Sequence, residues 1–319
     1  MDGQRRDANV GEEARVVAKV GSIESEVASQ PACWRRAAKL AADVARTLPA
    51  GGERVAVAGC GTSWFMAQSY ACAREQSGHG ETDAFAASEM PLRRRYDRVL
   101  VLSRSGTTTE VLQLLDHFDG KVPTVAITAS AGSPVVSAAD EAIVLDFADE
   151  ESVVQTRFAT TELALLLTHL GHGIGPAAEA TERLLAEALP AELMAARQFT
   201  FLGTGWTCGL ANEAALKLRE AAGMWTEAYP AMEYRHGPAA VTGPGSVVWL
   251  FGTAPDGLAD EITAAGGVAW QSGGDPLAEL VRVQLLAAAV ARARGLDPDR
   301  PRNLARSVIL TPARPGSSP

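Results

Sequence analysis

Short apolar runs rich in β-branched residues alternate along the chain with longer segments whose apolar positions recur at helical spacing. The pattern predicts strands near 55–59, 85–88, 99–103, 122–127 and 142–146, with helices near 63–77, 107–118 and 155–170. After Pro190 a second series begins: a strand near 199–203, a helix near 208–221, strands near 247–251 and 267–270, and a helix near 276–294. Strands alternating with helices in this way predict an α/β fold, with doubly wound parallel sheets covered by helices on both faces.

The two series resemble each other. Val55-Ala-Val-Ala-Gly-Cys-Gly-Thr-Ser-Trp64 and Phe199-Thr-Phe-Leu-Gly-Thr-Gly-Trp-Thr-Cys208 both run strand, Gly-x-Gly, polar residues, helix. Gly59 and Gly203 are offset by the same interval as Glu89 and Glu233, which points to a duplicated unit. The copies differ at one loop. Leu102-Ser-Arg-Ser-Gly-Thr of the first series has Leu250-Phe-Gly-Thr-Ala-Pro-Asp as its counterpart, so only the first carries a hydroxyl-rich segment there. The expected organisation is an N-terminal arm over 1–24, a first domain over 25–190, a second over 191–310 and a tail over 311–319.

Composition narrows the ligand. With 319 residues and 47% hydrophobic content, the chain can bury two cores, and its net charge of -9 disfavours nucleic acid or an anionic membrane as partner. Cys33, Cys60, Cys72 and Cys208 have neither zinc-type nor disulfide-type spacing, and neither a secretion signal nor a membrane span is visible, so a cytoplasmic protein without a metal site is expected. A small-molecule ligand fits best.

The loop after 99–103 holds Ser103, Ser105, Thr107, Thr108 and Thr109 around Gly106, between a strand and a helix. Hydroxyls and backbone N–H groups converging at a helix N-terminus suit a phosphate. The competing reading is a helix cap with solvated neighbours. Gly59-Cys-Gly-Thr-Ser63 is a second polar turn of the same kind, and in a doubly wound sheet such turns meet at the carboxyl edge of the strands. A dinucleotide site is disfavoured, since Trp64 stands where a third glycine is needed.

In the second half, Glu213, Lys217 and Glu220 fall at i, i+4 and i+7, on one helix face. Taken alone this is a surface ion-pair ladder; following the Gly203-x-Gly205 turn, it is aimed at a cleft. Four histidines, His79, His117, His169 and His172, lie in ordinary helical or loop contexts, whereas His236 stands in Arg235-His-Gly-Pro238, a turn fixed by glycine and proline.

The paired loops, Gly59-Cys-Gly-Thr-Ser63 and Leu102-Ser-Arg-Ser-Gly-Thr-Thr108, resemble those of the sugar isomerase (SIS) family. Asn212-Glu-Ala-Ala-Leu-Lys-Leu-Arg-Glu220, Glu233-Tyr-Arg-His-Gly-Pro238 and Pro301-Arg-Asn-Leu-Ala-Arg-Ser307 are similar to the isomerase half of glucosamine-6-phosphate synthase. The resemblance implies two flavodoxin-like SIS domains in tandem. It implies that Ser103, Arg104, Ser105 and Thr108 hold a sugar 6-phosphate, with Thr62 and Ser63 near the sugar hydroxyls. Glu220 would move a proton between C1 and C2 beside Lys217, and His236 would open the sugar ring in the active site of a neighbouring subunit, which implies a homodimer with shared sites.

Two departures from the family pattern shape the expected function. Before residue 25 there is no room for a glutaminase domain, so glutamine-derived ammonia is not expected. Arg306 stands at the family's Schiff-base lysine, and a guanidinium that stays protonated is no such nucleophile, though it can bind open-chain oxygens as a cation. The expectation is therefore C2 proton abstraction on a hexose or hexosamine 6-phosphate without a cofactor, by an aldose-ketose isomerase or deaminase. A dehydratase that expels the C3 hydroxyl of an N-acetylhexosamine 6-phosphate is the near alternative. A non-catalytic phosphosugar sensor is the rival class, opposed by the presence together of Glu220, Lys217 and His236.

Overall fold

The computed structural model describes residues 22–271 and 273–310. The first sheet contains β1 (Val55–Gly59), β2 (Thr82–Ala86), β3 (Arg98–Leu102), β4 (Thr124–Thr128) and β5 (Glu141–Val144), in the order β2-β1-β3-β4-β5. The second contains β6 (Gln198–Gly203), β7 (Thr226–Pro230), β8 (Ser246–Phe251) and β9 (Val268–Trp270), in the order β7-β6-β8-β9. Every pairing is parallel. The second order repeats the first with one strand fewer, as the duplicated motifs lead one to expect.

Around the first sheet the chain forms α1 (Ser22–Ala28), α2 (Gln30–Leu40), α3 (Thr62–Gln76), α4 (Thr109–Phe118), α5 (Pro134–Ala138), α6 (Arg157–His169), α7 (Gly175–Leu184) and α8 (Ala191–Ala195). Around the second it forms α9 (Thr207–Ala222), α10 (Leu258–Ala264) and α11 (Pro276–Ala293). Strand alternation sorts the side chains between layers. Val55, Val57, Leu100 and Leu102 pack with Trp34, Met66 and Phe158 on one face of the first sheet, while Ala56, Ala58, Val99 and Val101 pack with Val111, Leu115 and Val135 on the other. In the second sheet Phe199, Phe201 and Trp249 face α9 and α11, while Leu202, Val248 and Leu250 face Leu258 and Ile262 of α10. Both sheets are thus covered on both faces.

One buried apolar cluster joins the two halves. It runs from Val57 and Leu102 of the first sheet through Met66, Leu163, Ala214 and Leu218 to Phe201 and Trp249 of the second. The helices α3, α6, α9 and α11 therefore form a shared middle layer, and any polar group on their inner faces is removed from water.

Several elements depart from the sequence expectation. β2 runs Thr82–Ala86, earlier than 85–88, and residues 87–89 turn off the strand as a 3-10 turn. β7 follows α9 directly, although no strand was expected there. Its Glu227 and terminal Pro230 break the apolar pattern, which an edge strand tolerates because one side of its ladder is unpaired. The expected boundary at 24/25 falls inside α1, and the expected tail over 311–319, like residues 1–21 of the expected arm, lies outside the described residues.

Candidate active site

The winding reverses at β1: β2 lies on one side of it and β3 on the other, so a crevice opens at their carboxyl ends. Both polar loops end there. Gly59 is required by the close approach of the α3 N-terminus, because a Cβ on it would stand 2.7 Å from the Ser63 carbonyl carbon; Gly203 meets the Thr207 carbonyl in the same way, at 2.4 Å. The chain then turns at Gly61, with φ +55, and α3 begins at Thr62. Thr62 and Ser63 are both buried.

The second loop is shaped by Gly106, whose φ is +64 and whose missing side chain leaves room for Ser133 Oγ, 2.0 Å from an added Cβ. Thr107 donates from its N–H and its hydroxyl to Ser105 Oγ at 3.3 and 3.1 Å. Thr108 occupies the N-cap of α4 without a side-chain capping bond, so its hydroxyl is not consumed by the helix. Ser63, Ser103, Ser105, Thr108, Gln155 and Arg306 line one small cavity. Those hydroxyls around the start of α4 form an anion-sized corner with a helix dipole behind it.

Arg104 lines the same cavity, and its side chain is also engaged within the protein. Its guanidinium is buried, pairs with Glu150 at 3.2 Å and donates to the carbonyls of Ser152 and Val153 at 3.0 Å each. Glu150 is further fixed by the N–H groups of Thr156 and Arg157, both at 2.7 Å. The guanidinium thus braces the loop, while its Nε is buried without a partner. Arg306 reaches the corner as well. It lines the cavity, while its guanidinium bonds Asp149 and the Glu150 carbonyl.

The acid-base set lies on α9. This helix packs against α3 so closely at Gly209 that an added Cβ would stand 2.2 Å from Ser69 Oγ, and Asn212 donates to Gln68 Oε1 at 2.8 Å beside it. The close packing presses Lys217 onto the start of α3. Lys217 Nζ donates to Thr62 Oγ1 at 3.1 Å and pairs with Glu213 at 3.2 Å and Glu220 at 2.6 Å. α9 ends just beyond Glu220, where Gly223 adopts the left-handed conformation and its N–H caps the Arg219 carbonyl.

Burial separates the three. Lys217 and Glu213 side chains are 1% and 0% exposed, whereas Glu220 is 21% exposed and lines a wider cleft of about 590 Å³ with Arg219, Arg294, Arg300 and Arg302. Burial pushes the Glu213 carboxyl up to about 7, with Glu220 adding and Lys217 and Thr62 opposing. Burial works against the Lys217 charge, but Glu213 and Glu220 together outweigh it and hold the ammonium above the ordinary lysine value. The set is thus a protonated lysine between two carboxyls, with Glu220 the one that a molecule in the cleft can touch.

His236 closes a 3-10 turn (Glu233–His236) beyond β7 and is exposed. No described hydrogen bond or ion pair joins it to Lys217 or Glu220 within the chain. Glu233, which opens that turn, and Glu89, in the 3-10 turn after β2, occupy equivalent places in the two sheets. Gln155 and Glu150 escaped the sequence reading: both come from the irregular segment between β5 and α6, where no periodicity marks them.

Fold and site together define a doubly wound α/β protein with a hydroxyl-lined corner at the switch point of one sheet and an acid-lysine-acid set supplied from the other. Residues 50–170 match the family model of the SIS domain. It is 29% identical to glutamine-fructose-6-phosphate aminotransferase (isomerizing) of Vibrio vulnificus over 81% of this chain and 52% of that protein, and 28% identical to the Escherichia coli protein of the same name over equal shares. The chain spans about half the length of the curated relatives it matches. Among solved structures, glucosamine-6-phosphate deaminase of Thermotoga maritima superposes with a TM-score of 0.77 at 25% identity, covering 91% of this chain and 100% of that one. Tagatose-6-phosphate ketose/aldose isomerase of Escherichia coli gives 0.74 at 18% identity, over 92% and 97%, and so shares the fold. Among the described residues no helix is long and apolar enough to cross a membrane.

Proposed function

We propose that this chain is a phosphosugar enzyme of the amino-sugar type, in which Glu220 removes the C2 proton of a hexosamine 6-phosphate and the intermediate is protonated at C1. The resulting ketose imine then takes up water and releases ammonia; a 2-hydroxy substrate would stop at the ketose. The single observation that carries this reading is the bond from Lys217 Nζ to Thr62 Oγ1, 3.1 Å, which ties the acid-base helix of one sheet to the polar loop of the other. A proton-transfer carboxylate linked through its lysine to a polar strand-to-helix loop is what an open-chain phosphosugar requires. Likeness to the Thermotoga deaminase across nearly the whole chain favours ammonia release over simple isomerisation.

In this reading residues 25–190 and 191–310 are two SIS domains in tandem sharing a middle layer. Ser103, Ser105 and Thr108 hold the phosphate, Thr62 and Ser63 the sugar hydroxyls, and Lys217 and Arg306 stabilise the enediolate oxygens as cations. His236, exposed at the end of β7, serves ring opening in the partner of a cytoplasmic homodimer. The test is a panel of hexose and hexosamine 6-phosphates, acetylated and not, followed by carbon NMR and free ammonia. Ammonia and a ketose phosphate from the free amino sugar support the proposal; turnover of acetylated substrate alone, with loss of the C3 hydroxyl, replaces it with dehydration.

A further inference from the structure

A third carboxyl stands behind the acid-lysine-acid set and has no part in the chemistry above. Glu162, on the inner face of α6, is 0% exposed, and neither of its oxygens has a hydrogen-bond partner. Glu213 Oε1 is occupied by Thr62 and Lys217, but its Oε2 is also buried and without a donor. Glu213 and Glu150 are the charged groups that act on Glu162, and both are acids. Other charges on the packed elements are turned elsewhere. Arg35 and Arg36 of α2 pair with Glu182 and Asp146, and Lys39 is exposed. Arg74 of α3 donates to the carbonyls of Ala50, Glu53 and Gly80, and Glu75 accepts from the Thr82 N–H. The Arg157 guanidinium donates to Ser29 Oγ and the Asp149 carbonyl, and Glu150 is spent on Arg104, Thr156 and Arg157.

A buried carboxylate without a cation or donor costs several kcal/mol or more, so such a group keeps its proton instead. A neutral carboxyl then has one O–H to donate, and buried donors find acceptors. Of the two neighbouring acids, Glu213 is the one with a lysine beside it and an oxygen lacking a donor. We propose that Glu162 is a neutral acid that donates its proton, directly or through one water, to Glu213 Oε2 and thereby holds Glu213 as the anion that keeps Lys217 charged against Glu220. Glu162 touches no reacting atom and is a positioning residue. Its catalytic consequence rests on the reading of Glu220 as the base, whereas its protonation and its hold on Glu213 do not.

The test therefore uses the substrate-free protein. The chain has four lysines, Lys19, Lys39, Lys121 and Lys217, so Lys217 Cε can be followed by NMR with labelled lysine as a reporter of the charge on Glu213. E162Q retains a donor, and its Glu213 midpoint should stay within about 0.3 pH unit of wild type, whereas E162L removes the donor to the charged form and should raise the midpoint by about one pH unit. Equal midpoints in all three proteins, or E162Q moving with E162L, would overturn the proposal. Should E162L fail to fold, infrared difference spectra of wild type against E162Q at pH 7 decide alone: a protonated carboxyl band lost in E162Q supports the assignment, and its absence from wild type refutes it. Neither readout needs turnover, so failure of the phosphosugar reading and failure of this one remain separate.

Discussion

Lys217 Nζ and Thr62 Oγ1 lie 3.1 Å apart, joining α9 of the second sheet to the first residue of α3 beneath the first. With Glu213 and Glu220 on its other sides, Lys217 has three oxygen partners and is almost wholly buried. Thr62→Val removes one acceptor from a buried ammonium at nearly constant volume, and urea unfolding should show a loss of about 1–3 kcal/mol. Thr62→Ser should recover most of it.

Glu213 gives the pH dependence a definite sign. Its carboxyl titrates near 7 in the folded protein against 4.5 as the ordinary value, so ionising it costs more folded than unfolded. Its contribution to stability is full below about 4.5 and is lost as pH rises through about 7. Glu213→Gln cannot ionise, so the fall in stability between those limits, measured by denaturant unfolding across pH, should be shallower in the variant than in wild type.

The hydroxyl corner makes a separable prediction. Ser103→Ala with Ser105→Ala should lower the melting temperature only slightly, since it removes the loop bonds from Thr107 to Ser105 Oγ but no cap of α4, and should weaken phosphosugar binding by about 1–3 kcal/mol in calorimetry. Unchanged affinity would reduce the loop to a helix approach.

An exposed His236 with no described link to Glu220 leads to a mixing experiment. Inactive His236→Ala and inactive Glu220→Gln chains, allowed to exchange subunits, should regain part of the activity, since some heterodimers would hold one intact site. No recovery after proven exchange would take His236 out of a shared site.

Much of the architecture could be read from the sequence because local patterns encode it: apolar runs mark β1, β3, β4 and β6, and the repeated Gly-x-Gly marks two equivalent strand-to-helix turns. The i, i+4, i+7 spacing put Glu213, Lys217 and Glu220 on one face, as the structure has them. It did not reveal that the face is buried, because that follows from Gly209 letting α9 close on α3. Arg104 is similar: its position in the loop suggests a ligand contact, and the sequence does not reveal that Glu150, distant along the chain, pairs with its guanidinium. Glu162 reads as one polar residue in an apolar helix, and its orphaned oxygens exist only once α6 is packed against α2 and α3. Edge strand β7 is lost to pattern reading because pairing with β6, more than side-chain periodicity, holds it.

The role of Glu220 as the base at C2 is decided by solvent deuterium incorporation at that carbon. With the best substrate of the panel, wild type should exchange or turn over, while Glu220→Gln, which keeps shape and hydrogen bonding but not basicity, should bind nearly as well and lose exchange by roughly a hundredfold or more. A Gln variant that still exchanged at the wild-type rate would contradict the account and leave Glu220 as a partner of Lys217 alone.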